Sequence, residues 1–208
     1  MSLLNFRKRE VNCKIVYYGP SLGGKTTNIT GVYQKTPEAN RGPLQCVDTQ
    51  GDRTLFFDHF ELSLGKVGDM TTRFQLYAVP GQPRYRSTRR MVLGGVDGVV
   101  FVADSDRGRL GDNVESLTDM RQLLTDSGYD YEKTPMVIQY NKRDLPDAHS
   151  IEELEHTLNE RGCRSFEAVA IEGQGVIETF KAICAQVVTK LNDDIATAFR
   201  APGLGGRP

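Results

Sequence analysis

At 208 residues the chain is a little longer than a typical domain, and 38 % hydrophobic with 25 % charged residues fits a soluble globular protein with a real core. Lys+Arg of 26 against Asp+Glu of 27 leaves a formal charge of -1, which gives no reason to expect broad nucleic-acid binding. Cys13, Cys46, Cys163 and Cys184 form no close pair and His59, His149 and His156 complete no zinc pattern, so reduced thiols of a cytosolic protein are expected.

Residues 13–18 (CKIVYY) read as a first strand, with 25–34 as the helix behind it. The β-rich runs 54–64 and 71–79, separated by GKVG, predict a hairpin, an antiparallel pair within a mainly parallel sheet. GVVFVA at 98–103 and PMVIQY at 135–140 are near-continuous apolar runs, as expected of strands covered on both faces, and 166–170 is a shorter strand. Helical periodicity marks 109–126, 151–160 and 176–191. This alternation predicts an α/β fold: a mostly parallel six-stranded sheet with one antiparallel strand, helices on both faces, and ligands at the carboxyl ends of the strands. Residues 1–192 make one domain, and 193–208, ending APGLGGRP, are expected to be a flexible tail. The N-terminal MSLLNFRKRE lacks a signal peptide's apolar core, and neither Ser2 nor the final GRP carries a lipid signal, so no direct membrane anchor is expected.

GPSLGGKT at 19–26 follows the first strand and opens the first helix, and it matches the phosphate-loop pattern G-x-x-x-x-G-K-[ST]. In such a loop, here Gly19, Ser21, Leu22, Gly23, Gly24 and on to Thr27, successive backbone N–H groups face phosphate oxygens at a helix N-terminus. Lys25 would reach the terminal phosphates and the Thr26 hydroxyl would hold Mg2+. NKRD at 141–144 ends the 136–140 strand at the same sheet edge. A carboxylate at Asp144 accepts two hydrogen bonds from guanine N1–H and its exocyclic amine, which adenine does not match, so GTP is selected over ATP. Asn141 would tie base to loop, and the Lys142 stem would cover a ring face.

With these motifs the chain resembles the Ras superfamily of small GTPases, and within it the MglA-like branch of gliding motility and cell polarity. The carrying segments are EVNCKIVYYGPSLGGKTTN, DRTLFFDHFELSLG, TRFQLYAVPGQ, GVDGVVFVADS, VIQYNKRDLP and EAVAIEGQGV, which run over nearly all of the chain. The resemblance implies a Ras-like phosphate-loop GTPase fold with switch I over 36–54 and switch II over 79–95. It implies that Thr54 joins Thr26 on Mg2+, that Arg53 is an arginine finger in cis, and that Gln82 orients the attacking water. Gly81 would donate its N–H to the γ-phosphate, and the Ala170 N–H would bind the guanine carbonyl. It further implies a GDP/GTP switch that hydrolyses slowly unless stimulated by a homodimeric roadblock-type (MglB-like) activator. Polarity or response-regulator-like effectors would read it, and the protein would be a cytoplasmic monomer recruited to a cell pole.

Three positions depart from the branch. Ser21 replaces a loop glycine, and if that residue takes φ > 0 the substitution adds strain of order 1 kcal/mol. Ala78 stands where most GTPases carry the carboxylate of DxxG and MglA-like proteins usually have Thr, so the hydroxyl is lost as well, with Asp48 and Asp52 as candidates to compensate. PRYRSTRR at 83–90 is unusually basic, either a solvated helix face or a surface for an acidic partner. Ser21 and Ala78 keep open an alternative, a GTP-binding scaffold with negligible hydrolysis. A phosphate-loop ATPase or kinase is disfavoured by NKRD.

Overall fold

The structure, a computed structural model, describes residues 3–5, 9–48, 56–67 and 70–200. Its strands are β1 (Leu3–Asn5), β2 (Glu10–Tyr18), β3 (Gln45–Asp48), β4 (Phe56–Val67), β5 (Met70–Ala78), β6 (Gly98–Asp104), β7 (Met136–Asn141) and β8 (Ser165–Glu167). Its α-helices are α1 (Lys25–Lys35), α2 (Arg86–Leu93), α3 (Leu110–Asp126), α4 (Ile151–Leu158) and α5 (Val176–Arg200). Side-chain alternation along β2 organises them. Val11, Cys13, Ile15 and Tyr17 enter one core layer, and Val16 and Tyr18 enter another. A strand buried on both faces needs helices above and below. Ile29 and Val32 of α1 with Val176, Phe180, Ile183 and Val187 of α5 close the first layer. Val92 and Leu93 of α2, Met120 and Leu123 of α3, and Leu154 and Leu158 of α4 close the second.

The strands run β3-β4-β5-β2-β6-β7-β8 across one sheet, with β1 paired to β2. β2, β5, β6, β7 and β8 pair in parallel, whereas β4 is antiparallel to β3 and β5, and β1 to β2. The expected six-stranded sheet is therefore wider by two short strands, too brief for alternation to register in the sequence. β1 covers Glu10 to Asn12, the part of β2 that β6 does not reach. The carboxyl ends of β2, β5, β6, β7 and β8 share one edge, and their following loops meet there.

The tail expected from residue 193 is corrected: α5 continues to Arg200. Leu191 and Ile195, four apart, pack against the first core layer, and no Gly or Pro interrupts the chain before Pro202. That i, i+4 spacing holds one more helical stripe on the core. Ile195→Ala should therefore lower the unfolding free energy by about 1–2 kcal/mol, less than truncating a fully buried isoleucine costs because Ile195 is only partly buried. Urea denaturation checks this, and an unchanged midpoint would detach residues 193–200 from the domain.

Candidate nucleotide-binding site

Gly19 leaves β2 and Lys25 opens α1, so the loop GPSLGG forms the turn between them. Gly24, the N-cap of α1, has φ 100°, and a Cβ there would stand 2.1 Å from Asn141 Nδ2, so only glycine fits. No acidic residue occupies the first turn of α1, which leaves its N-terminal partial charge positive. The Lys25 ammonium is buried beneath the loop and donates to Gly19 O at 3.0 Å and Pro20 O at 2.5 Å. Burial, aided by the nearby Arg89 and Arg109 charges, depresses its pKa to about 7. Outside glycine, positive φ occurs among the described residues only at Arg9, Leu22 and Lys142. The strain expected at Ser21 is thus absent. It sits at Leu22 (φ 62°), whose side chain is 83 % exposed.

Ser21, Leu22, Gly24, Lys25, Thr26 and Thr27 line a cleft of about 390 Å3 with Gly81, Gln82 and Asp58. Asp58 is a residue the sequence reading missed. It faces inward from β4, in register with Ala78 on β5, and its Oδ2 accepts from Thr26 Oγ1 at 2.5 Å. The carboxylate absent at 78 is supplied by the neighbouring strand. Of the two acids expected to compensate, Asp48 ends β3 and Asp52 lies outside the described residues. The signal was available, because Asp58, Phe60 and Leu62 alternate on the buried face of β4. A carboxylate and a hydroxyl are the hard oxygen donors Mg2+ takes, with phosphate and water oxygens completing the shell. Arg53 and Thr54 also lie outside the described residues.

On the base side, Asn141 joins three segments. Its Nδ2 donates to Gly23 O and its Oδ1 accepts from Ala170 N, both at 2.9 Å. A guanine carbonyl at Ala170 would share an N–H that already serves Asn141. Lys142, at φ 67°, donates to Oδ2 of the buried Asp104 at 2.6 Å. Asp144 is exposed, with no hydrogen bond to described residues to occupy its carboxylate. Arg109 Nη2 donates to Ser21 O at 2.6 Å while Nε lies 3.8 Å from Asp104 Oδ2, so one acid serves both the base loop and the phosphate loop.

Switch II rests directly on the phosphate loop. A Cβ on Gly81 would stand 2.3 Å from Ser21 N and 2.4 Å from the Pro20 carbonyl carbon, so no larger residue could take this seat. Gln82 lines the cleft, its Oε1 accepting from Arg84 Nε at 2.8 Å. The basic segment is a solvated face at Arg84, Arg86 and Arg90, which are exposed, while Arg89 is buried; Arg86 and Arg89 bind Asp119, and Arg90 binds Asp126, both on α3.

Residues 2–187 match the ADP-ribosylation factor family. The chain is 52 % identical over 191 residues to the mutual gliding-motility protein MglA of Myxococcus xanthus, covering 92 % of this chain and 98 % of that one. It is an MglA-like small GTPase. More distant similarity, 30 % identity, extends over 193 residues of ADP-ribosylation factor-like protein 6 of Caenorhabditis elegans (89 % of this chain, 91 % of that one). The same identity holds over 143 residues of the Ras-related protein RABA6b of Arabidopsis thaliana (67 % and 60 %). The chain is accordingly a guanine-nucleotide-binding GTP hydrolase, and its sheet is that of the Ras-like fold.

For this GTPase the buried Lys25 carries a measurable consequence. Its pKa in the protein alone is depressed to about 7, so at pH 8.5 it is mostly neutral. Anionic phosphate beside Nζ favours the ammonium and raises the pKa, so binding GDP at that pH takes up as much as about one proton. Calorimetry in two buffers of different ionisation enthalpy should read this uptake, and Lys25→Arg, which stays protonated, should remove it. Equal proton uptake by the two proteins would separate Lys25 from the phosphates.

Proposed function

We propose that this GTPase is a GDP/GTP switch of bacterial cell polarity and motility, in which Gln82 orients water for attack and Arg53 neutralises charge developing on the β–γ bridge. The observation that carries the switch is the seat of Gly81 on Pro20 and Ser21, which makes the position of switch II depend on what the loop holds. Lys25 and the loop N–H groups would bind the phosphates, and Asp144 with Asn141 the guanine. Thr26 and Asp58 would hold Mg2+, with Thr54 joining by resemblance. When bound, the ion supplies positive charge to the phosphate oxygens. The motility role follows from likeness to the gliding-motility relative. The same likeness supports a roadblock-type activator, polarity effectors and recruitment to a cell pole; no described helix is long and apolar enough to cross a membrane. Slow unstimulated turnover fits the contact of Arg84 with Gln82 Oε1, which ties up the amide oxygen needed to accept from water.

The scaffold alternative rests on Ser21 and Ala78. Ser21 bears no positive φ, and Asp58 offers a carboxylate across from Ala78. Both observations favour turnover.

Single-turnover hydrolysis tests the reading. Gln82→Ala should slow it about a hundredfold while GDP affinity stays within about threefold, the pattern of an interaction made only in the transition state. A wild-type rate in Gln82→Ala would sink the assignment. Adding a homodimeric roadblock-type protein should accelerate the wild type. Asp58→Asn should raise the Mg2+ concentration for half-maximal hydrolysis about tenfold, and an unchanged requirement would remove Asp58 from the metal site.

A further inference from the structure

Tyr18, the last residue of β2, lies directly before the phosphate loop, and its hydroxyl donates to Asp119 Oδ2 at 2.6 Å. The same oxygen accepts from Arg89 Nε at 3.0 Å and lies 2.9 Å from Arg89 Nη2, while Oδ1 accepts from Arg86 Nε at 2.7 Å. The Arg89 side chain is only 6 % exposed. Its remaining nitrogen, Nη1, reaches Gln82 O at 2.6 Å and Pro80 O at 3.3 Å, the carbonyls on either side of Gly81. One planar guanidinium therefore spans from α3 to the backbone that carries Gln82.

We propose that Asp119 is a positioning residue for GTP hydrolysis, acting on Gln82 through Arg89. The inference rests on the reading of Gln82 as the residue that orients water. A cavity of about 700 Å3 lies between switch II and α3, lined by Ser21, Gly81, Arg86, Arg89, Arg109 and Asp119 among others. Apolar packing does not fill that gap, so the ion pairs, together with the contact of Gly81 on the loop, hold the Gln82 backbone in its place. Burial pushes the Asp119 carboxyl upward, but hydrogen bonds from Tyr18, Arg86 and Arg89 outweigh it and hold the pKa below the ordinary value. The carboxylate stays charged through the physiological range, as the buried Arg89 requires. Tyr18 fastens the same oxygen to the root of the phosphate loop, so loop and switch share one anchor.

The test is single-turnover GTP hydrolysis with GDP affinity, in the wild type, Asp119→Asn, Gln82→Ala and the double variant. Asp119→Asn should slow hydrolysis about tenfold, since small misplacements near the reacting atoms are expensive in rate, with GDP affinity within about threefold. On the Gln82→Ala background the same change should alter the rate less than about twofold, because the group it positions is gone. Equal fractional losses on both backgrounds, or an affinity loss as large as the rate loss, overturn the relay while leaving Gln82 catalytic. A wild-type rate in Gln82→Ala overturns both readings together. Tyr18→Phe keeps both ion pairs and serves as the milder variant, with an expected slowing of about threefold. If Asp119→Asn does not fold and Tyr18→Phe hydrolyses at the wild-type rate, the proposal fails.

Discussion

A loop that turns its N–H groups toward phosphate must turn its carbonyls into the protein, and those carbonyls need donors. The rest of the site depends on that constraint. Lys25 serves Gly19 O and Pro20 O, Arg109 serves Ser21 O, and Asn141 serves Gly23 O. Each donor comes from a different segment: the start of α1, the turn before α3, and the end of β7. The loop is thus the place where three segments at the sheet edge are fastened. The carbonyls turned into the protein do as much to assemble the domain's functional edge as the amides turned toward the phosphates do to bind a ligand.

The donors are cationic or amide groups in a partly buried region, and their charges need matching. Asp104, fully buried at the end of β6, meets Lys142 and lies beside Arg109, so base loop and phosphate loop share a counter-charge. Asp119 does the same for Arg86 and Arg89. Removing Asp119 would leave the buried Arg89 guanidinium without its ion-pair partner, a far larger penalty than losing a surface pair. Asp104 and Asp119 therefore help to hold these segments together, although neither lines the phosphate cleft.

What the sequence made legible follows from the range of each interaction. The phosphate loop and NKRD are contiguous, and their chemistry is written in residue type and spacing alone. The core strands β6 and β7 were equally plain, since burial on both faces leaves an unbroken apolar run. Asp58 and Ala78 belong to adjacent strands; alternation along β4 turns Asp58 inward, but only the hairpin register shows that it stands opposite Ala78. The arginines of α2 looked like a surface because their partners, Asp119 and Asp126, lie a helix and a strand further on. Ion pairing between helices leaves no periodic trace in either one, whereas the extension of α5 did leave one, the stripe through Leu191 and Ile195.

Ser21 shows how such constraints settle a local question. A side chain at this position is troublesome where the backbone needs φ > 0 or where an approaching segment needs the space. The loop meets the first condition one residue later, at Leu22, whose exposed side chain points away from crowding. It meets the second through Gly81, which approaches the Ser21 backbone N–H so closely that the missing side chain must be the one on switch II. The glycine requirement has in effect been kept on one side of the contact. Ser21 is free to carry a hydroxyl while its carbonyl, held by Arg109, keeps the loop in register. The tolerance therefore belongs to the pair Ser21 and Gly81, and a larger residue at 81 would remove it.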